Sequence, residues 1–156
     1  MQTPADLASL GLPPADQVGF VVRDLEASMK LYGPMFGPWI LQDGSVNDSD
    51  YRGRKSDVKL SIAYGQSGPL QIELIEWGGG DSPHAEFIRA GREGMHHLRF
   101  RVDDADGWIE KMKSVGYESV WYKKWCADTT FVYMQREGDP LWIEFLEMPP
   151  GGPGTA

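Results

Sequence analysis

The chain has 156 residues, enough for one compact domain or two small halves sharing a core. With 23 Asp+Glu against 15 Lys+Arg it carries a formal net charge of −8, and such a surface repels phosphate backbones and anionic lipid, so neither nucleic acid nor a membrane is an expected partner. A hydrophobic content of 41% excludes global disorder, the single Cys126 excludes an intrachain disulfide or a multi-cysteine zinc site, and no apolar run reaches the length of a membrane span, so a soluble cytoplasmic protein is expected.

Residues 1–15 read as an N-terminal tail that runs into Pro13-Pro14. A strand is predicted over 16–22, then a helix over 24–33 with Leu25, Met29 and Tyr32 on one face, Asp24 as its N-cap and Gly33-Pro34 as its end. A brief strand at 38–42 is followed by a polar, charged stretch from Gly44 to Asp57 that reads as a mobile loop. Strands over 57–65 and 69–76 complete the first half. The segment 78–94 reads as a linker holding a short helix, with Ser82 as cap and Pro83 at its first position. The second half gives a strand at 95–102 and a helix at 104–115, capped by Asp104 and ended by Gly116. Strands at 118–124, 129–135 and 140–147 follow, and PPGGPGTA at 149–156 is a flexible tail.

The halves repeat one another. QVGFVVRD at 17–24 lies over HLRFRVDD at 97–104, and PLQIELIE at 69–76 over PLWIEFLE at 140–147, the latter pair identical at five of eight positions. The chain therefore divides into two βαβββ modules, 16–77 and 95–148, and the fold class is α+β. Strand alternation then sorts the side chains. Val18, Phe20 and Val22, with Leu98, Phe100 and Val102, form an apolar set for the helices to cover, as do Ile72 with Leu74 and Ile143 with Phe145. The other face carries Gln17, Glu73, His97 and Glu144, with Gln71, Arg99 and Arg101. Two carboxylates in central strands need a partner, either an arginine or a metal ion, and a polar residue at the same face position of all four equivalent strands favours one shared central site. His96 points to the opposite face, and His84 in the linker reads as a surface residue. Cys126, with no paired histidine, reads as a plain buried or loop thiol.

DQVGFVVRDLEASMKLYGPMFGPW, PLQIELIEW, GREGMHHLRFRVDD and DPLWIEFLE, in that order, resemble the vicinal oxygen chelate superfamily, the group of glyoxalase I, methylmalonyl-CoA epimerase, extradiol dioxygenases and bleomycin-resistance proteins. GMHHLRFRV looks most like the epimerase branch. The resemblance implies two βαβββ modules forming a U-shaped, cup-like mixed sheet with helices outside, a divalent metal at its floor, and a homodimer. Carried over position by position, the metal ligands are Gln17, Glu73, His97 and Glu144, with Gln17 standing where most relatives have histidine. Three oxygens and one nitrogen suit zinc, cobalt, nickel or manganese. The set is similar to that of the animal glyoxalase I enzymes, but where glyoxalase I holds glutathione with an arginine and an asparagine this chain has Val21 and Trp77.

Such a site suits proton transfer next to a carbonyl through a metal-stabilised enolate, the chemistry of an isomerase, epimerase or lyase. Glu144 is the expected base and Glu73 its partner on the opposite face. Arg99 or Arg101 could neutralise a substrate carboxylate, or instead pair with Glu73 or surface acids. Trp142, and Trp77 after its strand, would line the cup and favour a small apolar, aromatic or acyl-thioester substrate. A metal-free protein that sequesters a small molecule is the alternative, signalled by short contacts from Arg99 or Arg101 to the two glutamates. An extradiol dioxygenase ranks last, because its iron site wants two histidines and Gln17 leaves only His97.

Overall fold

The computed structural model describes residues 10–150, so the expected tails at 1–15 and 149–156 lie largely outside the described residues. In chain order the elements are β1 (Gln17–Val21), α1 (Leu25–Phe36), β2 (Ile40–Asp43), β3 (Val46–Tyr51), β4 (Arg54–Ser67), β5 (Leu70–Gly79), α2 (Pro83–Arg89), β6 (Gly94–Arg101), α3 (Ala105–Lys113), β7 (Tyr117–Cys126), β8 (Thr129–Arg136) and β9 (Trp142–Glu147). This is the α+β architecture expected from the repeat.

Both long helices start where a short carboxylate can serve their free amides. The Asp24 side chain accepts from Ala27 N at 2.9 Å, and the Asp104 side chain accepts from Gly107 N at 3.0 Å. Helix α1 continues three residues beyond its expected end at Gly33. Pro34 forfeits one intrahelical donor, but Gly37 N–H bonds the Gly33 carbonyl and Trp39 Nε1 donates to the Met29 carbonyl at 2.9 Å, so the last turn is held from outside.

The strands form one mixed sheet in the order β2-β4-β3-β7-β8-β9-β6-β1-β5, and β5 also pairs with β4, so the sheet curves into a barrel-like ring. The two halves meet twice. β1 pairs antiparallel with β6, and β3 pairs antiparallel with β7 through Asp50↔Tyr122 and Tyr51↔Trp121. The second contact is possible because the stretch expected as a loop, Gly44 to Asp57, is a hairpin. Arg52 and Gly53, both at positive φ, turn β3 into β4, and Val46, Ser49 and Tyr51 are buried. The register shift between Val46 and Ser49 hides this strand from a period-two reading.

Apolar residues fall into three clusters. α1 covers Val22, Leu25, Ala63 and Leu74; α3 covers Phe100, Ile109, Met112 and Phe145; the third fills the ring with Trp121, Phe131, Tyr133, Ile62 and Leu146. The first two are the helix-covered sets predicted by alternation. The third, inside the ring, surrounds the site.

Candidate functional site

Four adjacent strands, β9, β6, β1 and β5, each bring one predicted ligand to the inner face. Their registers form two rows. Glu144, Arg99, Gln17 and Gln71 lie opposite one another in one, and Trp142, His97, Gly19 and Glu73 in the next. Gly19 matters here because a Cβ on it would overlap the His97 ring; the missing side chain is the space the imidazole occupies.

The geometry converges on one nitrogen. His97 Nε2 lies 3.2 Å from Gln17 Oε1, 3.3 Å from Glu73 Oε1 and 3.4 Å from Glu144 Oε1. Gln17 and His97 are fully buried, and both glutamates are nearly so. A single N–H cannot serve three oxygens. The hydrogen-bond contact of this nitrogen is with Gln17 Oε1, and Glu73 Oε1 is left within ion-pair distance of the imidazole yet without a hydrogen bond. As placed, no group of three or more His, Cys, Asp or Glu among the described residues is spaced around an ion. The donor chemistry nonetheless fits one. An orphaned buried carboxylate oxygen sits beside an imidazole, an amide carbonyl and a second carboxylate, and donors bound at about 2.1 Å to a small divalent cation stand roughly 3–3.5 Å from one another.

A bulge sets what lies behind His97. Gly19 pairs with His97 and Phe20 with Met95, so His96 is the extra residue of β6 and turns inward rather than to the opposite face. Its Nδ1 stands 3.0 Å from His97 Nδ1, and its ring stacks on Trp142 and His84. His84 is no surface residue. Helix α2, capped by Ser82 as expected, sets it fully buried between His96, Trp121 and Tyr133, with neither ring nitrogen hydrogen-bonded. The Gly-rich linker suggested exposure, but the helix within it packs its N-terminal turn on the ring.

Glu73 and Glu144 line a cavity of about 330 Å³ whose walls include Tyr64, Trp121, Phe131 and Tyr133, with the exposed Gln42, Asp43 and Ser45 along its border. Two wall residues carry the repeat. Tyr64 pairs with Glu73 across β4 and β5, Tyr133 pairs with Glu144 across β8 and β9, and each hydroxyl is close enough to feel the charge of its carboxylate. Sequence reasoning missed both tyrosines; their position opposite the glutamates in neighbouring hairpin strands was the available signal. Of the predicted substrate-binding residues, Arg99 lines the cavity, but its guanidinium is bound by Asp16 through two contacts of 3.0 and 2.9 Å. Arg101 donates to the Met148 and Pro149 carbonyls, Trp77 Nε1 donates to the Gly80 carbonyl beneath the Arg89 guanidinium, and Trp142 stacks on His96; none of these three lines the cavity. Cys126 is exposed at the β7–β8 turn, its Sγ 3.1 Å from Asp128 Oδ1.

Burial dominates the electrostatics. It pushes the Glu144 carboxyl up to about 7, against the opposing pull of His97 and Arg99, so this group exchanges protons near neutrality. It raises the Tyr64 and Tyr133 hydroxyls further, with the glutamate charges adding to it, so both stay protonated donors. It lowers His84 to about 3, with His97 adding to the shift. A histidine with a depressed folded pKa binds fewer protons folded than unfolded, so its contribution to stability is intact above the ordinary value of 6.5 and is lost as pH falls below it. Urea unfolding of native protein and His84→Leu at pH 7.5 and pH 5 is expected to show a smaller loss of stability on acidification in the variant. Equal losses would contradict the assignment.

Comparison with known proteins agrees with this frame. In structure the chain is similar to the hypothetical protein BH1468 of Bacillus halodurans C-125, with a TM-score of 0.62 at 20% identity, covering 89% of this chain and 96% of that one. It is equally similar to the methylmalonyl-CoA epimerase of Mycobacterium tuberculosis, with a TM-score of 0.62 at 24% identity, covering 89% and 90%. At such identities the likeness shows the fold. A curated relative, the uncharacterized protein YqjC of Bacillus subtilis strain 168, is 27% identical over 85 residues, 54% of each chain, so the chain spans about half the length of the curated relative it matches. The model of one family, described as the glyoxalase/bleomycin resistance protein/dioxygenase superfamily, matches residues 16–133, from the strand that carries Gln17 to the tyrosine opposite Glu144, and to that superfamily the chain belongs.

Proposed function

We propose that the protein is a divalent-metal-dependent isomerase, epimerase or lyase that moves a proton next to a carbonyl. The observation that carries this reading is the meeting of Gln17, Glu73 and Glu144 oxygens at His97 Nε2, with one carboxylate oxygen left without a hydrogen bond in a buried setting. Those four residues would hold zinc, cobalt, nickel or manganese. When bound, the cation would supply a positive charge that polarises a substrate carbonyl and acidifies the neighbouring C–H.

The chain's own residues would do the rest. Glu144 takes the proton from carbon; Glu73, on a different strand, is placed to act from another direction, as an epimerisation needs. The Tyr64 and Tyr133 hydroxyls, which stay protonated, stand beside the carboxylates on the neighbouring strands. The walls of Trp121 and Phe131 exclude water and accept an apolar, flat or short acyl group, and about 330 Å³ suits a small reacting moiety with any larger handle left outside. Similarity to a methylmalonyl-CoA epimerase solved in complex with methylmalonyl-CoA supports an acyl thioester as one such substrate.

The apolar walls would equally suit a metal-free sequestering protein. The arginine contacts that this reading calls for are directed elsewhere: Arg99 binds Asp16, and Arg101 binds backbone carbonyls. Protein purified without chelator and titrated calorimetrically with the four ions decides between them. About one equivalent of cation per chain is expected; a protein that arrives metal-free and takes up none of the four overturns the enzymatic reading and leaves sequestration.

A further inference from the structure

A side-chain amide has two ends that differ chemically but hardly in shape, and only the oxygen of Gln17 can face a cation. Which end faces the site is decided by a chain of contacts whose direction is forced from its far end. Arg99 carries donors only and Asp16 accepts only, so their paired contact fixes the guanidinium. The Nη2 that binds Asp16 has a second hydrogen and also reaches Gln71 at 3.4 Å, and the atom it meets must be an acceptor, Gln71 Oε1. The same oxygen is 2.6 Å from the Gln17 amide, so the Gln17 end there must be its nitrogen. The Gln17 oxygen is thereby turned to His97 Nε2, the atom that both glutamates also approach.

Left to themselves, the two carboxylates would select the opposite orientation. Rotated end for end, the Gln17 NH₂ would donate to Glu73 or Glu144, and Glu73 Oε1 would gain the partner it lacks. Something must hold the amide against that pull. We propose that Gln71, itself held by Arg99 and Asp16, is a positioning residue that keeps the Gln17 carbonyl oxygen, rather than its NH₂, facing Glu73 and Glu144. The inference rests on the reading of Gln17 as a ligand, and it gives Arg99 a task that needs no substrate carboxylate.

Three proteins test it: native, Gln71→Met and Gln71→Glu. Methionine keeps the length and removes the acceptor. Glutamate keeps an acceptor for both Gln17 and Arg99. Two quantities are read on each, after thermal unfolding confirms that it folds: the chemical shifts of the Gln17 side-chain NH₂ pair in metal-free, ¹⁵N-labelled protein, and the affinity for zinc and cobalt. Gln71→Met is expected to move the Gln17 pair and to weaken both ions by about 10–100-fold, while Gln71→Glu stays within about threefold of native. A Gln17 pair that stays in place in Gln71→Met, with affinity within about threefold of native, overturns the proposal. So does an equal loss in Gln71→Met and Gln71→Glu. If the native chain binds neither ion, the Gln17 pair alone decides the positioning role: displaced in Gln71→Met it stands, unmoved it falls; the functional reading falls by itself only where nickel and manganese are refused as well.

Discussion

Gly19→Ala is expected to abolish cation binding and to destabilise the fold by roughly 1–3 kcal/mol, the usual range for overpacking a filled interior. The added methyl would lie well inside van der Waals contact of His97 Cε1, Nε2 and Nδ1. The imidazole has nowhere to retreat, since Tyr133 and His96 are packed edge-on against it. The control is the double variant Gly19→Ala/His97→Ala. Removing the ring relieves the collision, so the pair should be more stable than Gly19→Ala alone while still binding no cation. Urea denaturation and calorimetric titration give both quantities. A Gly19→Ala protein with native stability and native affinity would show that His97 does not occupy this space.

The second large effect is on the chemistry. Glu144→Gln keeps the shape of the side chain and removes the group that burial has tuned to about 7, and loss of a positioned base lowers proton transfer by about 10²–10⁴-fold. Deuterium incorporation at the α-carbon of a panel of acyl thioesters, followed by NMR, reads that step. Glu73→Gln should behave differently, retaining incorporation from one face while epimerisation falls. Both glutamates are also candidate ligands, so cation content is measured on each variant. Exchange at the native rate in a cation-loaded Glu144→Gln protein would remove Glu144 from the role of base.

How far these residues were legible in the sequence follows from what each signal depends on. Gln17, Glu73, His97 and Glu144 could be read because they sit in regular strands, where alternation holds, and because the repeat shows each position twice. His96 was misread for the same reason: alternation assigns it outward, and a one-residue bulge, set by how β6 meets β1, turns it inward. β3 was missed because its own bulge scrambles the period and because Asn47, Asp48 and Asp50 are polar by design of its exposed face. The predicted substrate contacts failed to gather on the cavity because strand parity says which side a residue takes, not what else is there. Trp142 shares its side with Glu144, yet His96 takes up its ring, and the Arg101 guanidinium is drawn to carbonyls past the end of β9. Tyr64 and Tyr133 needed cross-strand registers, which depend on the lengths of turns that the sequence leaves open.

A centre built from two copies of one motif starts out with a degeneracy. If both halves were identical, a small ligand could enter in two opposite orientations of equal energy. The exchange of Gln17 for His97, and of Gly19 for Arg99, at equivalent positions of the repeat lifts that degeneracy. One half supplies the imidazole and the other the hollow it fills; one supplies the guanidinium and the other the carboxamide it steers. Neither half contains a complete set, so the handedness of the site belongs to the join between β1 and β6 rather than to either motif.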